Sequence, residues 1–292
     1  MVVGILSVRD KRYHPNRRLI EAAQGLGHKA VLIHTRDCVS GIYGGAFRML
    51  TDNGPGFDVL IPRIGATIND YALSVVRQFE ACGVRTVNGS EGIRLARNKF
   101  TTLQALTENG IPVPDSHLVV NFKGFQKAVA ALGGYPVVVK MPSNRQGEGV
   151  ALLNSPATAA FVLHNLQDNT RGLLVQAYIP REGRRDIRAF VVGNRVIGAM
   201  TLRPGPADFR SNIHLTGQGT PVELQSEVAQ LTVRAARTLG LDVAGTDLVV
   251  DGSGAPKVLE VNYSPGFRGL ERATGIDVAT HIMKHATRKG SG

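Results

Sequence analysis

The sequence predicts a chain that begins as parallel α/β and continues as mixed α+β units. Three observations carry that reading. Short apolar runs alternate with amphipathic stretches over the first 95 or so residues, the pattern of βαβ units. Ile-Pro-Val-Pro at 111–114 is a stiff connector, because each proline fixes its own φ and turns its predecessor away from helix. In the last third, glycine-bearing turns join β-rich runs.

The elements follow in order. VVGILS at 2–7 is a buried strand, and Leu19, Ile20, Ala23 and Leu26 form the apolar stripe of a helix that stops at Gly27. Strands are expected at Ala30–His34 and Phe57–Pro62, and a helix from Asn69 to Ala81, closed by Gly83. A single helix is expected from Gly92 to Glu108. Next come a strand (His117–Val120), a helix (Lys123–Leu132) and the strand Pro136–Lys140. A polar loop at 143–149 leads to a strand at 150–153, a helix at 155–166 and the strand Leu173–Ile179. DIRAFVV and RVIGAMTL flank Gly193-Asn194 as a hairpin, followed by a long irregular loop at 203–221. A helix at 223–239, strands at Val243–Val250 and Pro256–Val261, and a helix within 276–288 complete the chain.

Composition bounds the function. The 292 residues are 43% hydrophobic and 20% charged, enough for two or three packed subdomains. No stretch approaches the roughly 20 apolar residues of a membrane span, and the N-terminus lacks the basic leader and cleavage site of a signal peptide. The two cysteines, Cys38 and Cys82, form no metal spacing, so a cytoplasmic protein with reduced thiols is expected. The net charge of +11 favours an anionic partner. The basic residues are scattered and tryptophan is absent, so no direct nucleic-acid binding is expected.

Val258-Leu259-Glu260-Val261-Asn262 is the most informative segment. Strand periodicity puts Glu260 and Asn262 on one face, with Leu259 and Val261 in the core. If the strands on either side of Asp251–Gly254 pair, Asp247 comes close to Glu260. Two carboxylates and an amide oxygen then converge, donors suited to Mg²⁺ or Mn²⁺. An isolated E-x-N more often just faces solvent; the matching Asp247 narrows that gap.

Lys99 follows Arg97-Asn98 within the helix 92–108, and Lys140 ends an apolar strand where a buried ammonium needs an anion. Gly147 and Gly149 allow backbone N–H groups to approach a phosphate, although G-x-G alone reads better as a plain turn. Neither a Walker motif nor G-x-G-x-x-G is present. The backbone at Gln176, Ala177 and Tyr178 can read an adenine, and Asp186 can accept from ribose hydroxyls. Arg203 and Asp208-Phe209-Arg210-Ser211-Asn212 can neutralise phosphate charge, or can be solvated loop residues. His281 and His285, at i, i+4, have no accompanying zinc motif.

Taken together the chain resembles the ATP-grasp superfamily and, within it, the RimK-type α-L-glutamate ligases. The resemblance runs through GILS-x-RD, PRIG at 62–65, RQFE at 77–80, ARNK at 96–99, PVVVK at 136–140, QGEGV and LVQAYI. It continues through DIR at 186–188, DFRSN at 208–212, DVAGTD at 242–247 and EVNYSPGFRGLERATGID at 260–277. It implies an ATP-grasp fold preceded by a parallel-sheet pre-ATP-grasp domain, with units at 1–95, 96–182 and 183–292. It also implies that Lys99, Lys140, Gly147, Gly149, Gln176, Ala177, Tyr178, Asp186, Arg210, Ser211 and Asn212 bind ATP. Asp247, Glu260 and Asn262 would hold two Mg²⁺ or Mn²⁺ ions, and Arg203 would stabilise the transferring phosphoryl group. The implied reaction phosphorylates a carboxylate, which an amine then attacks to give an amide. L-glutamate is the implied amine, and the implied acceptor is the C-terminus of the sixth small-subunit ribosomal protein or another acidic chain. A homo-oligomer is expected.

The chain departs from the family pattern at three places. Ala177 stands where relatives often have Glu, Leu215-Thr216-Gly217-Gln218-Gly219 replaces Arg-Gly-Gly, and Arg268 replaces an acidic residue. Leu215, Gly217, Gly219 and Arg268 are therefore the expected substrate-side residues, with Arg268 suited to an acidic acceptor. Two other readings remain: a ligase acting on a small carboxylate, and a basic ribosome- or nucleic-acid-binding protein with a non-catalytic nucleotide fold. The intact set Asp247, Glu260 and Asn262 argues against the second.

Overall fold

The computed structural model describes residues 1–52, 56–65, 68–142, 150–159, 172–202 and 219–288. Strands β1 (Val2–Ser7), β2 (Lys29–His34), β5 (Val59–Pro62) and β6 (Arg85–Thr86) form a parallel sheet in the order β2-β1-β5-β6. Both faces are covered, as their unbroken apolar runs require. Val3, Ile5, Val59 and Ile61 pack on Leu19, Ala22 and Ala23 of helix α1 (His14–Gly25). Leu6 and Leu60 pack on Val75, Val76 and Phe79 of α2 (Asp70–Ala81), which Asn69 caps by accepting from the Ala72 amide.

Between β2 and β5 lies a hairpin the periodicity did not predict, β3 (Cys38–Tyr43) paired with β4 (Ala46–Thr51). Its turn is Gly44-Gly45, both at positive φ (58° and 77°), the conformation a two-residue hairpin turn demands.

The helix expected over 92–108 is two helices, α3 (Ser90–Ala96) and α4 (Lys99–Glu108). Asn98 causes the break: it leaves helical geometry and its side chain accepts from the amides of Phe100 and Thr101. Lys99 therefore opens a helix instead of lying within one.

Strands β7 (Ser116–Val119), β10 (Leu173–Ala177), β8 (Val137–Lys140) and β9 (Val150–Leu153) form an antiparallel sheet in that order. Val137, Val139, Leu173 and Val175 pack beneath α5 (Phe122–Ala131). Lys140 and Gln176 alternate onto the opposite face. Strand β10 ends at Ala177, short of the expected Ile179. Of the helix expected at 155–166, the described residues 156–159 are helical.

The third sheet is antiparallel, in the order β13 (Gly219–Pro221), β12 (Arg195–Leu202), β11 (Arg185–Val192), β14 (Val243–Val250), β15 (Pro256–Asn262). The hairpin at Gly193-Asn194 is present, and the end of the expected loop 203–221 is instead the edge strand β13. One face, with Ile187, Ala189, Leu248, Val258 and Val261, packs on α6 (Ser226–Thr238) and on Leu106 of α4. Arg268 opens a helix not foreseen, α7 (Arg268–Thr274), followed by α8 (Val278–Ala286). These helices bring Phe190, Met200 and Leu202 into one core with Val3 and Ile5 of the first sheet.

Asn88, which is 2% exposed, fastens the first sheet to the third. Its amide donates to the carbonyls of Val243 and Tyr263, each at 2.7 Å, and its oxygen accepts from the Val243 amide at 2.8 Å. Asn88→Ala removes the side-chain partner of three main-chain groups, two of them in fully buried bonds. A stability loss of roughly 3 kcal/mol or more is expected, read as a lower urea midpoint with unchanged slope.

Candidate active site

A row of side chains crosses the face of the third sheet opposite α6. Arg188 on β11 lies directly opposite Asp247 on β14, and Asp247 directly opposite Glu260 on β15. Asn262 lies opposite Gly245, one pair further along the same face. A bulge makes this register. Leu248 pairs with Val258 but Asp247 pairs with Glu260, so Leu259 is the extra residue. Without it, Asp247 would face Leu259, and Glu260 would turn toward α6. Leu259 is accordingly only partly buried, correcting the expectation that it lies in the core; Val258 takes that place at 0% exposure.

Two carboxylates directly opposite one another repel unless cations intervene. Both oxygens of Asp247 accept from Arg188, through Nε and Nη2, each at 2.6 Å. Glu260 Oε1 lies 3.4 Å from Lys99 Nζ, which the break at Asn98 brings to the site. Burial pushes the Glu260 carboxyl up, but Lys99, Lys140 and Arg188 together outweigh it and hold the pKa below the usual glutamate value. For Arg188, burial alone would lower the pKa, and the Asp247 carboxylate turns the net shift upward.

The central sheet supplies the facing wall. Lys140 Nζ donates to Gln176 Oε1 at 2.6 Å, and Gln176 Nε2 donates to Ser116 Oγ at 2.9 Å. Gln176 is thus a buried clamp on the lysine. Burial brings the Lys140 pKa down to about 8, against the opposing pull of Glu260 and Asp247 and with the help of Lys99. The Lys99 amide donates to the Pro142 carbonyl at 3.1 Å, which brings the end of β8, where Lys140 stands, beside the start of α4.

The adenine segment is only partly as expected. The Ala177 amide already donates to the Asp115 carbonyl at 2.9 Å, while Tyr178 lies one residue beyond the strand. Asp186 Oδ1 accepts from Arg184 Nε at 3.0 Å and Nη2 at 2.7 Å. It shares the sheet face of Arg188, two residues on. Gly219 lies in β13 beside Met200, where a Cβ would come within 2.7 Å of the Met200 sulfur. Arg268 is exposed at the start of α7. Gly147, Gly149, Arg203, Arg210, Ser211, Asn212, Leu215 and Gly217 lie outside the described residues. The reading of individual residues overlooked Arg188; the signal was its i, i+2 spacing from Asp186, which puts both on one strand face.

Among the described residues no three His, Cys, Asp or Glu side chains converge. The site offers two carboxylates and the Asn262 amide, all-oxygen donors that suit a hard cation such as Mg²⁺. Such an ion completes its shell with substrate phosphate oxygens. The donors fit that use, and Lys99 and Arg188 occupy the positions where positive charge is needed.

Residues 1–93 match the RimK PreATP-grasp domain, and residues 96–286 match the RimK-like ATP-grasp domain. The chain belongs to the RimK-like ATP-grasp family. A protein of Pseudoalteromonas translucida named probable alpha-L-glutamate ligase is 39% identical over 100% of this chain and 98% of its own length. One from Pseudomonas aeruginosa with the same name is 37% identical over 99% and 96%. The crystal structure of a RimK domain ATP-grasp protein from Sphaerobacter thermophilus superposes with a TM-score of 0.77 at 26% identity, covering 99% of this chain and 100% of that one. As a RimK-like ATP-grasp protein the chain is an ATP-dependent ligase. Its described residues include no helix long and apolar enough to cross a membrane.

The Lys140 ammonium is the form that can hold an anion, and it is lost as pH rises through about 8. In the free enzyme, kcat/KM for ATP should therefore fall above about pH 8. In the nucleotide complex the phosphates stabilise the ammonium, so the basic limb of kcat should lie at higher pH. Arg in place of Lys140 should move the kcat/KM limb upward; a pH–rate profile unchanged in that variant would contradict the assignment.

Proposed function

We propose that this enzyme joins L-glutamate through an amide bond to the C-terminal carboxylate of an acidic peptide or protein, by way of an acyl phosphate. The observation that carries the reading is the charged row Arg188–Asp247–Glu260–Lys99 facing Lys140. Three cations face two carboxylates there, leaving one positive charge over among the described residues. A nucleotide polyphosphate suits that balance better than a bare cation does.

In this reading Lys99 and Lys140 hold the ATP phosphates. Lys99 exchanges its 3.4 Å contact with Glu260 for a phosphate oxygen, which leaves the carboxylate to the metal. Arg188 keeps Asp247 in one orientation. Mg²⁺ or Mn²⁺, as two ions on Asp247, Glu260 and Asn262, would neutralise charge on the transferring phosphoryl group. Arg203 adds to that stabilisation, and Gly147, Gly149, Arg210, Ser211 and Asn212 complete the nucleotide site. The γ-phosphoryl passes to the acceptor carboxylate, ADP leaves, and the glutamate amine displaces phosphate. Asp186, released in part from Arg184, takes the ribose, and Gln176, Ala177 and Tyr178 border the base.

Support for the amino acid comes from the relatives named probable alpha-L-glutamate ligase. Support for a peptide acceptor comes from a structure of the ATP-grasp ligase PsnB complexed with minimal precursor, Mg and ADP, which shares the fold at TM-score 0.74. The net charge of +11 and the exposed Arg268 suit an acidic chain such as a glutamate-extended small-subunit ribosomal protein. Leu215, Gly217 and Gly219, in place of the family's Arg-Gly-Gly, favour as second reading a small carboxylate acceptor.

The test is incubation with ATP, Mg²⁺, glutamate and either acidic peptides or small carboxylates, following ADP and product mass. Successive glutamate increments on the peptide are expected; increments confined to a small molecule would establish the second reading. Glu260→Gln should lower kcat/KM by roughly 10³-fold or more while leaving the melting temperature near that of the wild type. Near-normal turnover in that variant would overturn the metal assignment.

A further inference from the structure

Arg63 is a buried cation with no acid beside it among the described residues. It stands just beyond the C-terminal end of β5 and is 5% exposed. One Nη2–H donates to the Pro265 carbonyl at 2.7 Å, and the guanidinium carbon lies 5.7 Å from the centroid of the Phe267 ring. Its Nε–H is buried with no acceptor. Burial draws its pKa down to about 10, opposed only by Tyr13. A methionine would fill the same volume without desolvating a charge or orphaning a donor.

The surroundings share this character. The buried side-chain atoms without a partner, among the described residues, are His14 Nδ1, Asn16 Oδ1, Arg63 Nε and Thr246 Oγ1. Three of those residues adjoin. The His14 ring lies 5.6 Å from the Phe267 ring, which Arg63 also covers. Asn16 Nδ2 donates to Ser7 Oγ at 3.1 Å, and Ser7 Oγ donates to the Arg63 carbonyl at 3.4 Å.

The place is significant for two independent reasons. β1 continues to β2 on one side, while β5 lies on its other side, so the C-terminal ends of β1 and β5 form the switch point of the parallel sheet. Open parallel sheets bind ligands at that point. The same spot also abuts the carboxylate row. Pro265, held by Arg63, covers Gly245, where a Cβ would lie 2.6 Å from the proline Cβ, and Gly245 pairs with Asn262.

We propose that Arg63 is a substrate-binding residue whose guanidinium receives a carboxylate at the switch point of the N-terminal sheet, beside strands β14 and β15. The inference rests on the ligase reading for the identity of its ligand. The carboxylate belongs either to the L-glutamate amine substrate or to the end of the acceptor. On binding, an anion replaces the neutral Pro265 carbonyl, and the charge-assisted bond is the stronger of the two.

Calorimetry tests this without turnover. L-glutamate and tetraglutamate are titrated separately, in the presence of ADP and Mg²⁺, into the wild type, Arg63→Lys and Arg63→Met. One of the two ligands should bind at least roughly tenfold more weakly to Arg63→Met and by an intermediate amount to Arg63→Lys, which keeps the charge but loses the fork. ADP affinity should stay within about twofold. Weakened L-glutamate binding identifies the amine substrate as the source; weakened tetraglutamate binding identifies the acceptor. Unchanged affinity for both ligands in a folded variant overturns the proposal, as does failure of the wild type to bind either one. If Arg63→Met does not fold, Arg63→Lys alone decides. ADP release with glutamate and acceptor tests the ligase reading separately: wild-type turnover with unchanged binding in the variants would sink Arg63 and spare the ligase.

Discussion

Two carboxylates, Asp247 and Glu260, stand directly opposite each other on paired strands, and the site is built around that repulsion. Arg188 grips Asp247 from one neighbouring strand, and Lys99 reaches Glu260 from the start of α4. Lys140, whose pKa burial brings down to about 8, ends strand β8, which is held beside the start of α4 by the bond from the Lys99 amide to the Pro142 carbonyl. Two of these groups reach the site through a local departure from regular structure. Asn98 breaks the helix so that Lys99 opens α4, and a bulge at Leu259 turns Glu260 onto the face of Asp247. A site in which anions already have cationic partners can exchange one set of partners for another. That exchange is what handling a polyphosphate requires.

The first sheet contributes position more than charge. Asn88 fastens it to the third sheet by three hydrogen bonds, two of them fully buried. Tyr263 donates its hydroxyl to the Gly65 carbonyl, and Arg63 holds Pro265. All three contacts converge on the segment leaving β15, directly after Asn262. The N-terminal unit therefore sets the angle of the loop that borders the carboxylate row, and its own switch point adjoins that loop.

Much of this was legible in the residues, and the gaps have physical causes. Periodicity located the first parallel strands, the hairpin at Gly193-Asn194 and strand β14, because apolar spacing there reports burial directly. Alternation put Glu260 and Asn262 on one face but could not place the bulge, since register depends on the partner strand. The same limit hid Arg188, whose partner lies 59 residues away. The break at Asn98 was masked by helix-forming residues on both sides, and only the capping side chain marked it. Gly44-Gly45 signalled the hairpin β3–β4, but the flanking runs lack a clean alternation and expose Ile42, Tyr43 and Phe47. Arg63 stood in the sequence only as part of PRIG: its meaning comes from a buried guanidinium with no acid beside it among the described residues, which only three dimensions reveal.

The most direct measurement is anomalous diffraction from crystals grown with Mn²⁺ and a non-hydrolysable ATP analogue. The account predicts manganese peaks within roughly 2.0–2.6 Å of oxygens of Asp247, Glu260 and Asn262, the range of hard-cation ligation. It also predicts Lys99 Nζ moved from Glu260 to a phosphate oxygen, with Arg188 still on Asp247. Manganese bound elsewhere, or Lys99 still paired with Glu260 beside a bound nucleotide, would contradict it.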